Sequence, residues 1–162
     1  MAELLKLEIS GLTEWAGQTQ AMQERLDDMT PVFEAGDEWF RAEMGRQFET
    51  QGAYLQNGEM WAPLSPEYAK RKPDPPSPFG ILYLTGDLYR SLSNADDPQH
   101  VMQVGKHEGT YGSTVPYGKY HQTGTSKMPQ RKIIIARGAL YELFMRAIEG
   151  WVIRGRDPRT RK

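Results

Sequence analysis

Two short helices that carry their own start and stop signals constrain this chain more than any other stretch. In Trp61-Ala-Pro-Leu-Ser-Pro-Glu-Tyr-Ala-Lys-Arg-Lys72, Ser65 suits an N-cap, Pro66 the first helical position and Glu67 the positive end of the helix dipole. Lys70, Arg71 and Lys72 suit the negative end, and Pro73 ends the helix. The spacing predicts a helix over residues 65–72. In Leu84-Thr-Gly-Asp-Leu-Tyr-Arg-Ser-Leu92, Thr85 is a candidate cap, Asp87 complements the dipole, and Leu84, Leu88 and Leu92 recur as one buried stripe. A carboxylate at a helix start is stabilising through the dipole and backbone N–H groups alone, so Asp87 needs no catalytic role. Neither segment contains an arrangement that could run a reaction.

The rest of the chain alternates helix and strand patterns. Leu5, Leu7 and Ile9 alternate with Lys6 and Glu8, the period of a half-buried strand ending at Gly11. Thr13 opens a helix through Asp28 with a narrow stripe of Trp15, Thr19, Met22 and Leu26. Thr30-Pro31 opens a longer helix, in which Val32, Phe33, Gly36, Trp39, Phe40, Met44 and Phe48 keep the helical period. A turn-rich connection from Gln51 to Gly58 leads to Trp61. Residues 100–104 and 110–115 form a hairpin around Lys106-His-Glu-Gly109, and Pro116 opens one or two helical turns ending at Gly124. Arg131 to Ala136 carries Ile133-Ile-Ile135, a β-branched run suited to a buried strand. A last helix over residues 137–154 places Leu140, Phe144, Ala147, Ile148 and Trp151 on one face, with Gly155 as its stop. The expected fold class is α+β, helices packed on a small, mainly antiparallel sheet. Trp39, Phe40, Leu88, Phe144 and Trp151 are expected in one core.

With 162 residues the chain is expected to form one domain over residues 1–153, followed by a basic arm over 154–162. No apolar run approaches the length of a membrane span, and no membrane association is expected. Glutamates interrupt the apolar N-terminal stretch, which therefore reads as mature sequence rather than a secretory signal. The absence of cysteine excludes disulfides and thiolate metal sites and fits assembly in a reducing cytoplasm.

A formal net charge of −1 conceals a strong asymmetry. Residues 1–60 hold twelve acids against four bases, and residues 61–162 nine acids against sixteen bases. Solvated helix faces of opposite sign would give this pattern, and so would head-to-tail assembly in which an acidic face meets a neighbour's basic face.

Catalytic and metal readings find little support. Only His107-Glu108 sets a carboxylate beside an imidazole, and neighbours in a turn or strand point apart. No nucleophile elbow, paired zinc-binding histidines or phosphate-binding loop is present, so no enzyme activity, metal or cofactor is expected. Tyr117, Tyr120 and His121 form an aromatic group whose polar tips could meet a base, a sugar or a neighbouring subunit. Four prolines between Pro73 and Pro78 exclude an interior strand or helix there, so Pro75 and Pro76 should project where a neighbour could touch them. The arm, with Arg154, Arg156, Arg159, Arg161 and Lys162, has no apolar residue and by composition alone should be mobile. It is a solvated end, a contact for DNA phosphates, or an arm that docks on an acidic protein surface, the last being favoured by the acid-rich half available as its partner.

Trp61-x-Pro-Leu-Ser-Pro, Lys70-Arg-Lys, Ile81-Leu-Tyr-Leu-Thr-Gly-Asp-Leu-Tyr-Arg-Ser-Leu92, Tyr117-Gly-Lys-Tyr-His-Gln-Thr-Gly124 and Met128-Pro-Gln-Arg131, in this order, resemble the phage virion morphogenesis family over roughly residues 30–150. The resemblance implies a structural neck or tail-completion protein of a tailed phage. It implies a ring of six or twelve identical subunits that meets other neck, head-closure and tail proteins while genomic DNA passes nearby. A tail terminator is the alternative within that class. A small DNA-binding module using the basic arm and Lys70-Arg-Lys72 is the alternative from another class. Lys70, Arg71, Lys72, Pro75, Pro76, Tyr117, Tyr120, His121, Arg154, Arg156, Arg159 and Arg161 are the candidate interface residues.

Overall fold

The computed structural model describes residues 12–72, 80–135 and 138–160. Helix α1 (Leu12–Asp27) and helix α2 (Thr30–Glu49) are followed by two short helices, α3 (Pro66–Arg71) and α4 (Asp87–Ser93). Strands β1 (His100–Val104) and β2 (Gly109–Ser113), helix α5 (Gly118–Thr123) and helix α6 (Gly138–Arg154) complete the order. The fold is α+β. The two strands form an antiparallel hairpin running from His100 opposite Ser113 to Val104 opposite Gly109.

The local signals act largely as the residues suggest. Ser65 accepts a hydrogen bond from the Tyr68 N–H, and Pro66 occupies the first position of α3. Pro31 sits in the first turn of α2, where the missing N–H costs nothing, and the Asp28 carboxylate accepts from the Thr30 N–H at 3.0 Å. Gly155 ends α6 at φ +61°, the left-handed conformation that glycine adopts without a Cβ penalty.

Helix α2 is the spine, and its two ends lie in separate apolar clusters. Its C-terminal half contributes Phe40, Met44 and Phe48 to a cluster with Leu55, Trp61, Leu88, Leu92, Val115 and Ile133. Its N-terminal half contributes Val32 to a second cluster with Met29 and Val152, against which Met22, Phe33, Phe144, Ile148 and Trp151 pack. The single core expected for Trp39, Phe40, Leu88, Phe144 and Trp151 is therefore divided. Phe40 and Leu88 belong to the first cluster and Phe144 and Trp151 to the second, with half-buried Trp39 meeting Phe144 edge-on at 5.3 Å. A 20-residue helix is about 30 Å long, too long for one cluster to cover both ends.

Three further expectations need correction or fall outside the described residues. Leu84 is 56% exposed, because the helix begins at Asp87, after Gly86 turns at φ +85°, so Leu84 is off the stripe that buries Leu88 and Leu92. Residues 131–135 join no strand ladder; Gln122 supplies their hydrogen bonds instead, its amide oxygen accepting from the Ile133 and Ile134 N–H groups and its NH2 donating to the Ile134 carbonyl. The expected strand at residues 5–9 lies outside the described residues.

The two helix pairs and the hairpin are tied by buried polar groups. The His100 ring lies between the Ser91 carbonyl of α4 and the Asp37 carboxylate of α2, 2.8 Å from each, and the second Asp37 oxygen accepts from Arg41 Nε at 2.7 Å. Tyr111 of β2 donates to the Phe33 carbonyl at 2.5 Å, and burial, with the Asp37 charge, pushes its phenol up to about 12. At the other joint the Trp151 indole donates to the Arg25 and Asp28 carbonyls at the end of α1, while Arg25 Nη1 donates back to the Val152 carbonyl.

At Gly36, side chains from α6 and the hairpin pack directly against the α2 backbone. A Cβ there would lie 2.4 Å from Phe144 Cζ and 2.6 Å from Tyr111 Oη, whereas one at Gly45 would meet nothing within 4 Å. Gly36→Ala should therefore destabilise by about 1–3 kcal/mol through overpacking, while Gly45→Ala should stabilise by up to about 1 kcal/mol through helix propensity. Denaturant midpoints of the two variants measure this; equal midpoints would refute the close approach.

Candidate interaction surfaces

A buried arginine and a buried tryptophan position the surface elements α3 and α5. Arg131, 4% exposed, donates from Nε to the Ala62 carbonyl at 2.8 Å and from Nη2 to the Pro63 carbonyl at 2.9 Å. Two residues later Ser65 caps α3. The Trp61 indole donates to the Lys132 carbonyl at 2.8 Å, and the same carbonyl accepts from Gln47 of α2 at 3.2 Å. The Arg131 N–H donates to the His121 carbonyl of α5 at 2.8 Å. Three sequence motifs, those at Trp61, Arg131 and Tyr117 to Gly124, thus meet the end of α2 at one node.

The candidate residues separate into distinct environments. Lys70 and Arg71 lie exposed on α3, which buries no residue. Lys72 is half-buried, its ammonium donates to the Gly80 carbonyl, and burial holds its pKa below the ordinary lysine value. That bond ties together the two ends of the proline-rich stretch; Pro75 and Pro76 themselves lie outside the described residues. Tyr117 and Tyr120 are exposed, with the Lys119 ammonium 5.0 Å from the Tyr120 ring centre. His121 is half-buried and meets Tyr117 edge-on at 6.1 Å.

The basic arm folds back on its own chain as far as it is described. The Arg156 N–H donates to the Gly150 carbonyl, and Asp157 forms a turn by accepting from the Arg159 N–H at 2.9 Å. Arg159 pairs with Asp157 and reaches Glu34 of α2 at 2.6 Å, and these carboxylates raise its pKa above the usual arginine value. Composition alone suggests a mobile segment; in the structure one arginine of the arm, Arg159, meets Glu34 of the acid-rich first half. Arg154 pairs with Glu149, Arg156 is exposed, and Arg161 lies outside the described residues.

What sequence reading missed is the role of buried Gln47 and Arg131, and of half-buried Gln122, as organisers. A polar residue inside an apolar stripe, as Gln47 is between Met44 and Phe48, was the available signal. Among the described residues no group of three metal-binding side chains is found, and no helix is long and apolar enough to cross a membrane.

Removing the Arg131 guanidinium leaves two carbonyls without partners, so Arg131→Met should cost about 2–4 kcal/mol. Trp61→Phe, which keeps a ring against Phe48 but removes the N–H, should cost about 1 kcal/mol. Chemical denaturation tests both, and a wild-type midpoint for Arg131→Met would show that the clasp does not hold the loop. A pH effect follows from His121. Burial, and secondarily the Arg131 charge, depresses its pKa below 6.5, and its Nδ1 is buried without a hydrogen-bond partner among the described groups. The unfolded chain therefore binds this proton more readily than the folded one, and stability rises with pH. The contribution is complete above about pH 6.5 and declines as the pH falls below it. Melting temperatures across pH 5–7.5 should show a steeper acid-side loss for the wild type than for His121→Gln; parallel profiles would remove His121 as the cause.

The comparisons with known proteins bear on the same elements. No curated protein and no solved structure matches the chain. The model of the phage virion morphogenesis family matches residues 7–143, which include the Trp61 and Arg131 motifs, both exposed short helices and the hairpin. The chain belongs to the phage virion morphogenesis family, a family of phage virion assembly.

Proposed function

We propose that this protein is a non-enzymatic structural subunit of a tailed-phage particle that forms a ring of six or twelve copies at the head–tail junction and enables heads and tails to join. The observation that carries this reading is the family match over residues 7–143. Surface character supports it. Helices α3 and α5 stand on the outside with no buried residue, and α6 turns Tyr141, Met145 and Ile153 outward, at 65, 45 and 57% exposure. Large apolar side chains at helical spacing on an outer face suit contact with a neighbouring protein. In a ring such contacts are heterologous and repeat until closure, leaving one face for the head-closure proteins and the other for the tail.

Electron microscopy of particles made without this protein tests the reading. Tailless heads beside finished, unattached tails are expected. Abnormally long tails would replace the joining role by that of a terminator that stops tube polymerisation, and normal particles would overturn both.

A further inference from the structure

Helix α6 carries two stripes, and the chain's own core uses one of them. Phe144, Ile148, Trp151 and Val152 pack in the cluster that holds Met22 of α1 and Val32 and Phe33 of α2. On the opposite side Glu142, Arg146, Glu149 and Ile153 are all exposed, and they follow one another at i, i+4, i+7 and i+11. That alternation of four and three is the seam spacing of a helix that packs along another helix, and it places the four side chains within about 60° of arc on one face. Leu143 and Met145 flank the seam, exposed at 36 and 45%. A Cβ added at Gly150, also beside the seam, would meet only Arg156 Cβ, at 3.9 Å, so the helix backbone is open to close approach there.

Along the seam the charges alternate: acid, base, acid. Glu142 pairs with Arg146 at 3.5 Å and Glu149 pairs with Arg154, and all four side chains are half-exposed or more. Exposed pairs of this kind contribute little and can exchange partners at small cost. The order of charges distinguishes the two directions in which a second copy of the helix could lie along the seam. Run parallel, Arg146 would meet Arg146 of the second copy and Glu149 would meet Glu149, and like charges so opposed are unfavourable. Run antiparallel, in the register that uses the whole stripe, Arg146 of each copy meets Glu149 of the other, twice by symmetry. Glu142 then lies beside Ile153 and Arg154 of the second copy, and Leu143 lies over its Gly150, where no side chain intervenes.

From this placement we infer that the outer face of α6 binds a second copy of this chain, antiparallel and about a two-fold axis. The contact is isologous: one patch serves both partners and closes on two copies. It pairs subunits, whereas the heterologous contacts of a ring propagate from one subunit to the next, and it does not depend on a role in head–tail joining. The two glutamates on the seam argue against a nucleic acid on this face, because they would repel its phosphates.

Sedimentation equilibrium of the full chain tests this at about 100 µM, a concentration suited to the small contact that one helix per copy provides. Arg146→Glu and Glu149→Arg each set like charges against one another twice in a pair. Each variant alone should therefore associate at least about tenfold more weakly than the wild type. Its mass should fall to half the wild-type value, whether that half is a single chain or a ring. Mixed in equal amounts, the two variants place opposite charges together at both positions, and the wild-type mass should return. A misfolded chain would not be rescued by mixing, and circular dichroism of each variant checks the fold separately. Equal masses for the wild type and the two variants would overturn the inference, as would variants that remain at half the mass when mixed.

Discussion

One backbone carbonyl, that of Lys132, carries much of the arrangement. It accepts from Gln47 on the spine helix and from the Trp61 indole, joining residues 85 and 71 positions away in the chain. A carbonyl with two lone pairs satisfied by two buried donors is a low-cost way to fasten three segments, since each donor would otherwise be buried without a partner. Gln47 also accepts from the Leu55 N–H at 2.8 Å, so the turn after α2 is held by the same side chain. With Lys132 fixed, Arg131 points at the Ala62 and Pro63 carbonyls, and Gln122 covers the Ile133 and Ile134 N–H groups. The surface helices α3 and α5 are small and bury nothing of their own, and their positions follow from this node.

The division of the interior into two clusters is the other organising fact. A single 20-residue helix runs through both. Between them lie groups that tolerate little change: Gly36, with no space for a methyl group, and the Asp37–His100 pair, buried and bonded also to Arg41 and the Ser91 carbonyl. Breaking a buried pair of this kind leaves an uncompensated polar group and is strongly unfavourable, whereas an exposed pair such as Glu142 with Arg146 contributes little. These buried groups lie in the middle of the molecule, whereas α3 and α5 bury no residue.

For an assembly protein this separation is useful. The residues that fold the chain, among them Trp61, Gln47 and Arg131, are buried, while Lys70, Arg71, Lys119, Tyr120, Tyr141 and Ile153 are exposed. Surface side chains can then change to suit a partner without loss of the fold. The family match spans both kinds of residue.

Local sequence determined the helices whose signals are local: the Ser65 cap and Pro66 of α3, the Pro31 start of α2, the glycine stop of α6 and the hairpin of β1 and β2. Each depends on backbone geometry within a few residues, which a cap, a proline ring or a glycine sets directly. Tertiary structure decided the rest. The β-branched run at Ile133 has strand propensity but no strand beside it, so a glutamine side chain completes its hydrogen bonds. Leu84 kept the spacing of a buried stripe, yet the left-handed turn at Gly86 precedes the helix and leaves that leucine outside. The arm's arginines looked free by composition, and only the return of α6 along α2 brings Arg159 to Glu34, 125 residues away. Charge and propensity are properties of single residues, but which charges are neutralised and which edges are paired depends on where distant segments come to lie.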